Sequence, residues 1–294
     1  MVGFRCGTIA LAGRPNTGKS TLLNRLVGEK LSIVSPKAQT TRHLVTGILN
    51  TQDCQFVFID SPGLQSHHRN VLHRTLNRRA VDAIRDADVV AFVVDEARFG
   101  AEDRAALDRI SPGRKIVAVV NKVDRVKCAA DLIPFIERLS KKREFAAIVP
   151  VSARSGKNLP ELLKVLRDAL PEAAAMYPPE QLTDRDERFF AAELLREKLY
   201  QMLGEELPYR CEVVIDSFRE EGRLRRIEAT IFVERESQKG IVIGSKGTQL
   251  KRMAEAARKD MERLFGGKVY LGVWVKVRRD WADDERVLRG LGYG

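Results

Sequence analysis

The segment from Gly13 to Ser20 constrains the fold of this chain more than any other. It reads Gly13-Arg14-Pro15-Asn16-Thr17-Gly18-Lys19-Ser20, which is the pattern GxxxxGKS. An apolar strand over residues 7–12 precedes it and a helix over residues 20–27 follows it, which is the context that the motif requires. Glycines let backbone N–H groups converge on phosphate oxygens, and the helix N-terminus adds positive potential. The segment therefore predicts a phosphate-binding loop, with Lys19 at the β- and γ-phosphates and the Ser20 hydroxyl at Mg²⁺.

Continuous apolar runs recur through the first 170 residues. They lie at residues 56–59, 89–94, 116–120 and 147–151, with helical stretches between them. Strands that are apolar on both faces are typical of a parallel sheet covered by helices on both sides. We therefore predict an α/β fold with a mostly parallel sheet, whose ligands bind at the carboxyl ends of the strands.

The motif Asn121-Lys122-Val123-Asp124 follows one of these strands and selects the base. The Asp124 carboxylate can accept hydrogen bonds from N1–H and the N2 amino group of guanine. Adenine lacks this donor pair and would leave a buried acid unpaired, which is costly. Ser152-Ala153-Arg154, after the last strand, is placed to close over the base through the Ala153 backbone. These residues predict guanine and disfavour an ATPase.

A third motif, Asp60-Ser61-Pro62-Gly63, follows the strand over residues 56–59. Carboxylate and hydroxyl oxygens suit Mg²⁺. We therefore predict that Asp60 holds Mg²⁺, usually through water, and that the Gly63 N–H meets the γ-phosphate.

Together these motifs resemble the TRAFAC class of P-loop GTPases over roughly residues 5–170. The resemblance implies GTP and GDP as substrate and product, Mg²⁺ as cofactor, and Thr21 as a further nucleotide contact. It also implies Lys19, Thr41 and Gly63 as catalytic residues. A threonine of the first switch completes the Mg²⁺ shell in such proteins, and within Gln39-Thr40-Thr41-Arg42-His43 we favour Thr41 over Thr40.

One position departs from the small signalling GTPases. Leu64 follows Gly63, where those proteins carry the glutamine that orients the attacking water. Leucine cannot orient water, so we expect slow intrinsic hydrolysis. Gln65 is one residue further along the loop and is not expected to replace that glutamine.

The pattern changes after a proline-rich junction near residues 168–179. We predict a GTP-binding domain over 1–172, a linker over 173–186 and a second domain over 187–294. The second domain alternates helix and strand signals, with helices over 188–203 and 249–265 and strands over 211–218, 225–233 and 269–277.

A second glycine motif, Gly244-Ser245-Lys246-Gly247, follows the apolar and strand-like segment Ile241-Val242-Ile243. Between Lys239 and Arg279 eleven basic residues stand against three acids, which is an electrostatic footprint for a polyanion. The segment resembles a type II KH domain of α+β fold, in which a GxxG loop grips single-stranded nucleic acid beside an apolar groove. The resemblance implies RNA contacts from Ile241, Ile243, Gly244, Ser245, Lys246, Gly247, Lys251 and Arg252.

A GTPase domain followed by a KH domain, in a chain of 294 residues, is a rare pairing. Four local strings sharpen it: Gly13-Arg14-Pro15-Asn16, Lys37-Ala38-Gln39-Thr40-Thr41-Arg42-His43, Glu205-Glu206-Leu207-Pro208-Tyr209 and Val275-Lys276-Val277-Arg278-Arg279-Asp280-Trp281. Over essentially its whole length the chain is similar to the Era family of bacterial GTPases. The resemblance implies binding of the single-stranded 3′ end of 16S ribosomal RNA, gated by GTP, during assembly of the 30S subunit. Some members are found at the inner face of the cytoplasmic membrane, so the resemblance also implies peripheral contact with that membrane. No obligate protein partner is evident from the sequence.

Composition limits the location and the chemistry. Hydrophobic residues make up 44% of the chain, which is a globular composition, and no apolar run approaches the roughly 18 residues of a membrane span. The first five residues lack the apolar core of a signal peptide, so we expect a cytoplasmic protein. The four cysteines include no CxxC pair, which disfavours disulfides and zinc.

Three other interpretations compete with the GTPase switch, and one of them, an ATPase, is disfavoured by Asn121 and Asp124. A structural RNA-binding scaffold with a vestigial nucleotide site would bind GTP without turnover. A membrane-surface GTPase would place the basic segment on anionic lipid, although that segment lacks the Trp/Phe-rich face of an interfacial helix. A metal site formed by His67, His68 and His73 is less favoured than solvated loop histidines.

Overall fold

A computed structural model describes residues 3–38, 40–65, 70–95, 98–126, 129–204 and 206–293. The chain forms two compact units. The first comprises Met1–Ser32, Thr41–Arg69 and Arg74–Asp184, and the second comprises Ile33–Thr40, Asn70–His73 and Arg185–Gly294. The boundaries at 172 and 187 remain sequence predictions.

The first unit contains a six-stranded sheet in the order β2-β3-β1-β4-β5-β6. Its strands are β1 (Arg5–Ala12), β2 (Val45–Asn50), β3 (Cys54–Asp60), β4 (Val89–Asp95), β5 (Ile116–Asn121) and β6 (Ala147–Pro150). Among the described strand pairs of this sheet, only the pairing of β2 with β3 is antiparallel. The predicted mostly parallel α/β sheet is confirmed.

Within the described residues, five α-helices cover this sheet: α1 (Lys19–Val27), α2 (Val71–Asp86), α3 (Ala101–Asp108), α4 (Leu132–Ser140) and α5 (Leu159–Ala169). All seven residues of β4 are buried, so both faces of the central sheet are covered. Phe92 and alternate residues of β4 pack with apolar side chains of α2, α3 and α4. Such burial on both faces explains why the strands are apolar throughout.

The segment after α5 is fastened to the sheet by a buried glutamine. The Gln55 amide donates to Asn50 Oδ1 and to the Tyr177 carbonyl, both at 2.8 Å. Its Oε1 accepts from the backbone N–H groups of Met176 and Tyr177 at 2.7 and 3.0 Å. Further along, the Ile48 N–H of β2 donates to the Leu182 carbonyl at 2.8 Å. Residues 176–182 therefore lie along the β2–β3 side of the first unit.

The second unit contains a three-stranded sheet in the order β7-β8-β9, with β7 antiparallel and β9 parallel to β8. Helices α6 and α8 pack on each other and on this sheet. Its elements are α6 (Glu187–Met202), β7 (Glu212–Glu221), β8 (Leu224–Val233), α7 (Glu236–Ile243), α8 (Thr248–Phe265), β9 (Lys268–Val277) and α9 (Glu285–Gly290). The predicted α+β fold is confirmed.

The segment before the second glycine motif was predicted to be strand-like, and this prediction was wrong. Ile241, Val242 and Ile243 form the last turn of α7. The Gln238 side chain accepts hydrogen bonds from the N–H groups of Glu234 and Arg235 at 2.9 and 3.0 Å and so stabilises the start of the helix. A short apolar run is compatible with either element, and the capping glutamine decides for a helix.

Helix α6 also holds the segment Ile33–Thr40 within the second unit. The Arg196 guanidinium forms a buried ion pair with Glu193 and donates to the Thr40 carbonyl at 2.6 Å. Glu197 Oε1 accepts from the Val34 N–H at 3.0 Å. The backbone before Thr41 is therefore fixed by buried charges of α6.

Three cysteines of the described residues, Cys6, Cys54 and Cys211, are buried. Cys128, Gln39, His67 and His68 lie outside the described residues. In the part of the chain that the structure covers, we find no helix with both the length and the apolar character that crossing a bilayer requires.

We expect Gln55→Leu to lower the free energy of unfolding by about 1–3 kcal/mol, because it leaves the backbone groups of Met176 and Tyr177 without their partner. Gln52→Leu is the matched control, since Gln52 is exposed in the turn between β2 and β3. Its effect should stay within about 0.5 kcal/mol. Urea unfolding of both variants checks this, and equal effects would contradict the role of Gln55.

Candidate functional site

Two glycines give the phosphate loop its shape. Gly13 has φ +141°, and a Cβ there would lie 2.4 Å from the Val93 carbonyl oxygen. Gly18 has φ +96°, and a Cβ there would lie 2.4 Å from Asn121 Nδ2. Both positions therefore exclude side chains, and the loop lies directly against β4 and the start of the base-binding motif.

Lys19 is buried at the start of α1, at the centre of the loop. Its ammonium donates to the carbonyl oxygens of Gly13 and Arg14 at 3.1 and 2.9 Å. Burial lowers the pKa of Lys19 to about 8, although the Asp60 carboxylate opposes this shift. A phosphate at the loop would favour the charged form and restore the proton.

Three oxygen-bearing side chains meet beside Lys19. The Ser20 hydroxyl donates to Asp60 Oδ2 at 2.6 Å and lies 2.9 Å from Thr41 Oγ1. Asp60 Oδ1 is buried and has no hydrogen-bond partner among the described residues. Burial raises the pKa of Asp60, while the Ser20 hydrogen bond and the Lys19 charge partly oppose this. An orphaned carboxylate oxygen beside two hydroxyls fits a Mg²⁺ ion.

The two candidate threonines have different hydrogen-bond partners. Thr41 Oγ1 lies at Ser20, whereas Thr40 Oγ1 donates to the Lys37 carbonyl at 2.8 Å. The geometry therefore favours Thr41 as the metal-site residue.

Among the described residues, no cluster of three or more His, Cys, Asp or Glu side chains could hold a metal. His73 lies in α2, and the other two histidines of the alternative metal site lie outside the described residues.

The base-binding residues form a connected group. Asn121 donates to the Thr17 carbonyl at 2.9 Å and accepts from the Ala153 N–H at 3.0 Å. Ser152 Oγ donates to Asp124 Oδ1 at 2.5 Å and so orients that carboxylate. Arg154 is exposed. The arrangement leaves Asp124 Oδ2 to accept from a guanine base.

The motif after β3 closes on the phosphate loop. Ser61 Oγ donates to the Leu11 carbonyl at 3.0 Å, which explains a hydroxyl at this buried position. Pro62 is buried, and a Cβ at Gly63 would lie 2.6 Å from the Pro15 nitrogen. Glycine is therefore required for this close approach.

Leu64 and Gln65 have different surroundings. Leu64 is buried in the core with residues of β1, α2 and β4. The Gln65 backbone is held by Asn77, whose Oδ1 accepts from the Gln65 N–H at 3.2 Å. The Asn77 amide Nδ2 also donates to the Gln65 carbonyl, at 2.9 Å. Leu64 therefore contributes to the packing of the core, and Asn77 fixes the backbone of Gln65.

In the second unit, the glycine motif joins α7 to α8. Gly244 has φ +72°, and a Cβ there would lie 2.6 Å from Gln249 Cβ, whereas Gly247 has φ +77° with open space around it. Lys246 adopts φ +50° and is exposed. Three further candidate RNA residues are exposed (Ser245, Lys251 and Arg252), Ile241 is 58% exposed, and Ile243 is half-buried. The loop thus presents cationic and apolar side chains together.

The structure adds two acidic residues that the motifs did not indicate. Asp95, the last residue of β4, contacts Arg14 and Lys122, and Asp103 of α3 contacts Arg14. A signal for Asp95 was present, because it follows an apolar strand in the same way as Asp60 and Asn121. No comparable signal marks Asp103.

Two stretches of the chain match known family models. Residues 8–122 match the family model described as 50S ribosome-binding GTPase, and residues 206–282 match the KH domain model. GTPase Era of Nitrosomonas eutropha is 49% identical over 99% of this chain and 98% of that relative. GTPase Era of Pseudomonas aeruginosa is 50% identical over 99% of this chain and 96% of that relative.

The chain belongs to the Era family of GTPases. Two solved Era structures resemble it over its full length. Era of Aquifex aeolicus, as a variant bound to GDP·AlF4⁻, has a TM-score of 0.96, 36% identity and coverage of 99% of this chain and 100% of that one. Era with MgGDPNP and nucleotides 1506–1542 of 16S ribosomal RNA has a TM-score of 0.95, 36% identity and 99% coverage of each.

The buried Lys19 predicts proton uptake on nucleotide binding. In the free protein its pKa is about 8, and bound phosphate raises it. At pH 8 GDP binding should therefore take up about half a proton, and less at lower pH where Lys19 is already charged. Calorimetry in two buffers of different ionisation enthalpy measures this. Lys19→Met should abolish the uptake, and equal enthalpies in both buffers for the wild type would contradict it.

The burial of Leu64 predicts that a glutamine there does not restore fast hydrolysis. Leu64→Gln should leave the single-turnover rate of GTP hydrolysis unchanged, because the side chain at this position points into the core. It should lower the free energy of unfolding by about 1–3 kcal/mol, the cost of an unpaired buried amide. A faster single-turnover rate would show that residue 64 reaches the attacking water. Gln65→Ala is the companion variant and should also leave the rate unchanged.

Proposed function

We propose that this chain is a GTPase switch that hydrolyses GTP with Mg²⁺ and binds the single-stranded 3′ end of 16S ribosomal RNA through its KH fold. We place this activity in assembly of the 30S subunit, in the cytoplasm. The observation that carries the proposal is the presence, in one chain, of a complete guanine-nucleotide site and a basic GxxG loop. The relative solved with MgGDPNP and a 16S ribosomal RNA fragment supports the pairing.

In the proposed hydrolysis, Lys19 and the loop N–H groups bind the β- and γ-phosphates, and the Gly63 N–H meets the γ-phosphate. Ser20, Asp60 and Thr41 would hold Mg²⁺, which neutralises charge on the phosphates when bound. Asn121 and Asp124 select guanine. Because Leu64 is in the core, no side chain at that position orients water, and intrinsic turnover is slow.

In the proposed RNA complex, Gly244 and Gly247 allow the RNA backbone to approach the loop. Lys246, Lys251 and Arg252 are exposed and supply the opposing charge. The exposed Ile241, on the last turn of α7, provides apolar surface for a base. Single-stranded RNA suits this site because its bases are free to leave the stack.

Coupling between nucleotide and RNA is supported by the hydrogen bonds of two consecutive residues, Thr40 and Thr41. The Thr41 hydroxyl belongs to the candidate Mg²⁺ group, whereas the carbonyl of the preceding residue, Thr40, is bonded to Arg196 of α6. A change at Thr41 therefore acts one residue from a backbone group that α6 holds. This supports a gated switch of the kind that orders loops around a γ-phosphate.

The test is binding of a labelled single-stranded RNA matching the 3′ end of 16S ribosomal RNA, at fixed salt, with GDP and with a non-hydrolysable GTP analogue. We expect tighter binding with the analogue. Equal binding would contradict the gated switch. GTP binding without any turnover would favour the scaffold interpretation, and binding to anionic vesicles in preference to RNA would favour the membrane-surface interpretation.

A pair of variants locates the RNA site. Lys246→Ala/Lys251→Ala should weaken RNA binding and reduce the slope of log affinity against log salt by about 1.4, from two lost phosphate contacts. Lys141→Ala/Lys142→Ala is the matched control, because these lysines are exposed in the first unit. An unchanged slope in the first pair would place the RNA elsewhere.

A further inference from the structure

The end of β4 carries a carboxylate that joins two loops of the nucleotide site. Asp95 is the last residue of β4 and lies in register with Asn121, the last residue of β5. Its side chain is only 9% exposed. Oδ1 accepts from the Arg14 guanidinium, and Oδ2 accepts from Lys122 Nζ at 2.7 Å. One carboxylate therefore uses both oxygens on cations from two different motifs.

The two cations belong to opposite ends of the nucleotide. Arg14 lies in the phosphate loop, and Lys122 lies in the base-binding motif between Asn121 and Asp124. Lys122 Nζ also donates to the Asn16 carbonyl of the phosphate loop at 2.7 Å, and its backbone has φ +62°. A lysine in this left-handed conformation needs surrounding contacts to hold it. Asp95 and Asn16 supply them.

The Arg14 guanidinium links the phosphate loop to α3. Its Nε lies 3.1 Å from Asp103 Oδ1, and its Nη1 donates to the Pro15 carbonyl at 3.3 Å. Asp103 Oδ2 in turn accepts from the Gly100 N–H at 3.0 Å, at the start of α3. The guanidinium is thus engaged on Nε, Nη1 and Nη2 by the protein itself. The phosphate loop is braced by α3 on one side and by Asp95 on the other.

We propose that Asp95 is a positioning residue that fixes the spacing between the phosphate loop and the base-binding motif, and thereby sets how long the nucleotide stays bound. The inference rests on the proposed guanine-nucleotide function. Asp95 acts through Lys122 and Arg14 and touches no reacting atom. Its removal should weaken GDP and GTP binding alike, as expected for uniform binding.

Two isosteric variants distinguish this positioning role from a general stabilisation of the phosphate loop. Asp95→Asn removes the charge that holds both cations, whereas Asp103→Asn removes only a contact to Arg14. A charge-assisted hydrogen bond corresponds to roughly tenfold or more in an equilibrium. We therefore expect Asp95→Asn to release labelled GDP about tenfold faster after addition of excess unlabelled GDP. Asp103→Asn should change the rate of GDP release by no more than about threefold, since Lys122 keeps its hydrogen bonds to Asp95 and to the Asn16 carbonyl.

A second readout excludes a merely structural effect. Single-turnover hydrolysis of GTP already bound should stay within about twofold of wild type in Asp95→Asn, because no contact to the reacting phosphate is lost. The melting temperature should fall further with GDP bound than without nucleotide, because the loss of GDP affinity adds to the loss of the ion pairs. Equal loss of melting temperature with and without GDP, or a variant that does not fold, would assign Asp95 a structural role and overturn the proposal.

A double-mutant cycle tests whether Asp95 acts on GDP release through Lys122. In a Lys122→Gln background, Asp95→Asn should accelerate GDP release less than in the wild type, because one of the two cations through which Asp95 acts is gone. Fully additive effects would overturn the proposal. If the wild-type protein itself bound no guanine nucleotide, the proposed function would fail. GDP binding by the wild type with unchanged release in Asp95→Asn would overturn only the inference about Asp95.

Discussion

The buried side-chain amide of Asn121 is the interaction on which the nucleotide site depends. Its nitrogen donates to the Thr17 carbonyl of the phosphate loop, and its oxygen accepts from the Ala153 N–H of the loop after β6. The side chain is 1% exposed, so both hydrogen bonds lie in a region of low dielectric where an unpaired polar group is costly. Three segments that are far apart in sequence are thereby held at fixed distances. The absence of any side chain on Gly18 is part of the same interaction, because a Cβ would occupy the space of the Asn121 amide.

Much of this arrangement could be predicted from the sequence, for a geometric reason. In a parallel sheet the carboxyl ends of the strands lie at one edge, so Asp60 and Asn121 had to lie at the same edge once their apolar strands were recognised. Their distances could not be predicted. Asp95 obeys the same rule but belongs to no motif that we recognised, and its role depends on Arg14 and Lys122 reaching it. Asp103 depends on how α3 packs, which periodicity does not report.

The second unit shows where local patterns become ambiguous. Three apolar residues before a glycine are compatible with a strand or with a helical turn, and Gln238, five residues before Ile243, decides for the helix by accepting two N–H groups. The same glycine serves both interpretations, since Gly244 ends α7 and its N–H donates to the Gly240 carbonyl. The long elements α6, α8 and β9 were predicted to within a few residues. For α8 the reason is its amphipathic periodicity, since its buried residues lie on one face of the helix.

The contacts of residues 176–182 have a consequence for the solubility of the first unit on its own. β2 is an edge strand, and an edge strand with open N–H and C=O groups is a template for pairing with another chain. The Leu182 carbonyl occupies the Ile48 N–H, and the Pro179 carbonyl accepts from Asn50 Nδ2 at 2.9 Å, so this edge is partly covered by the chain itself. A fragment ending at residue 172 would lose that cover and the partners of Gln55. Its exposed edge would favour strand-to-strand aggregation, whereas a fragment ending at residue 184 would keep the edge shielded.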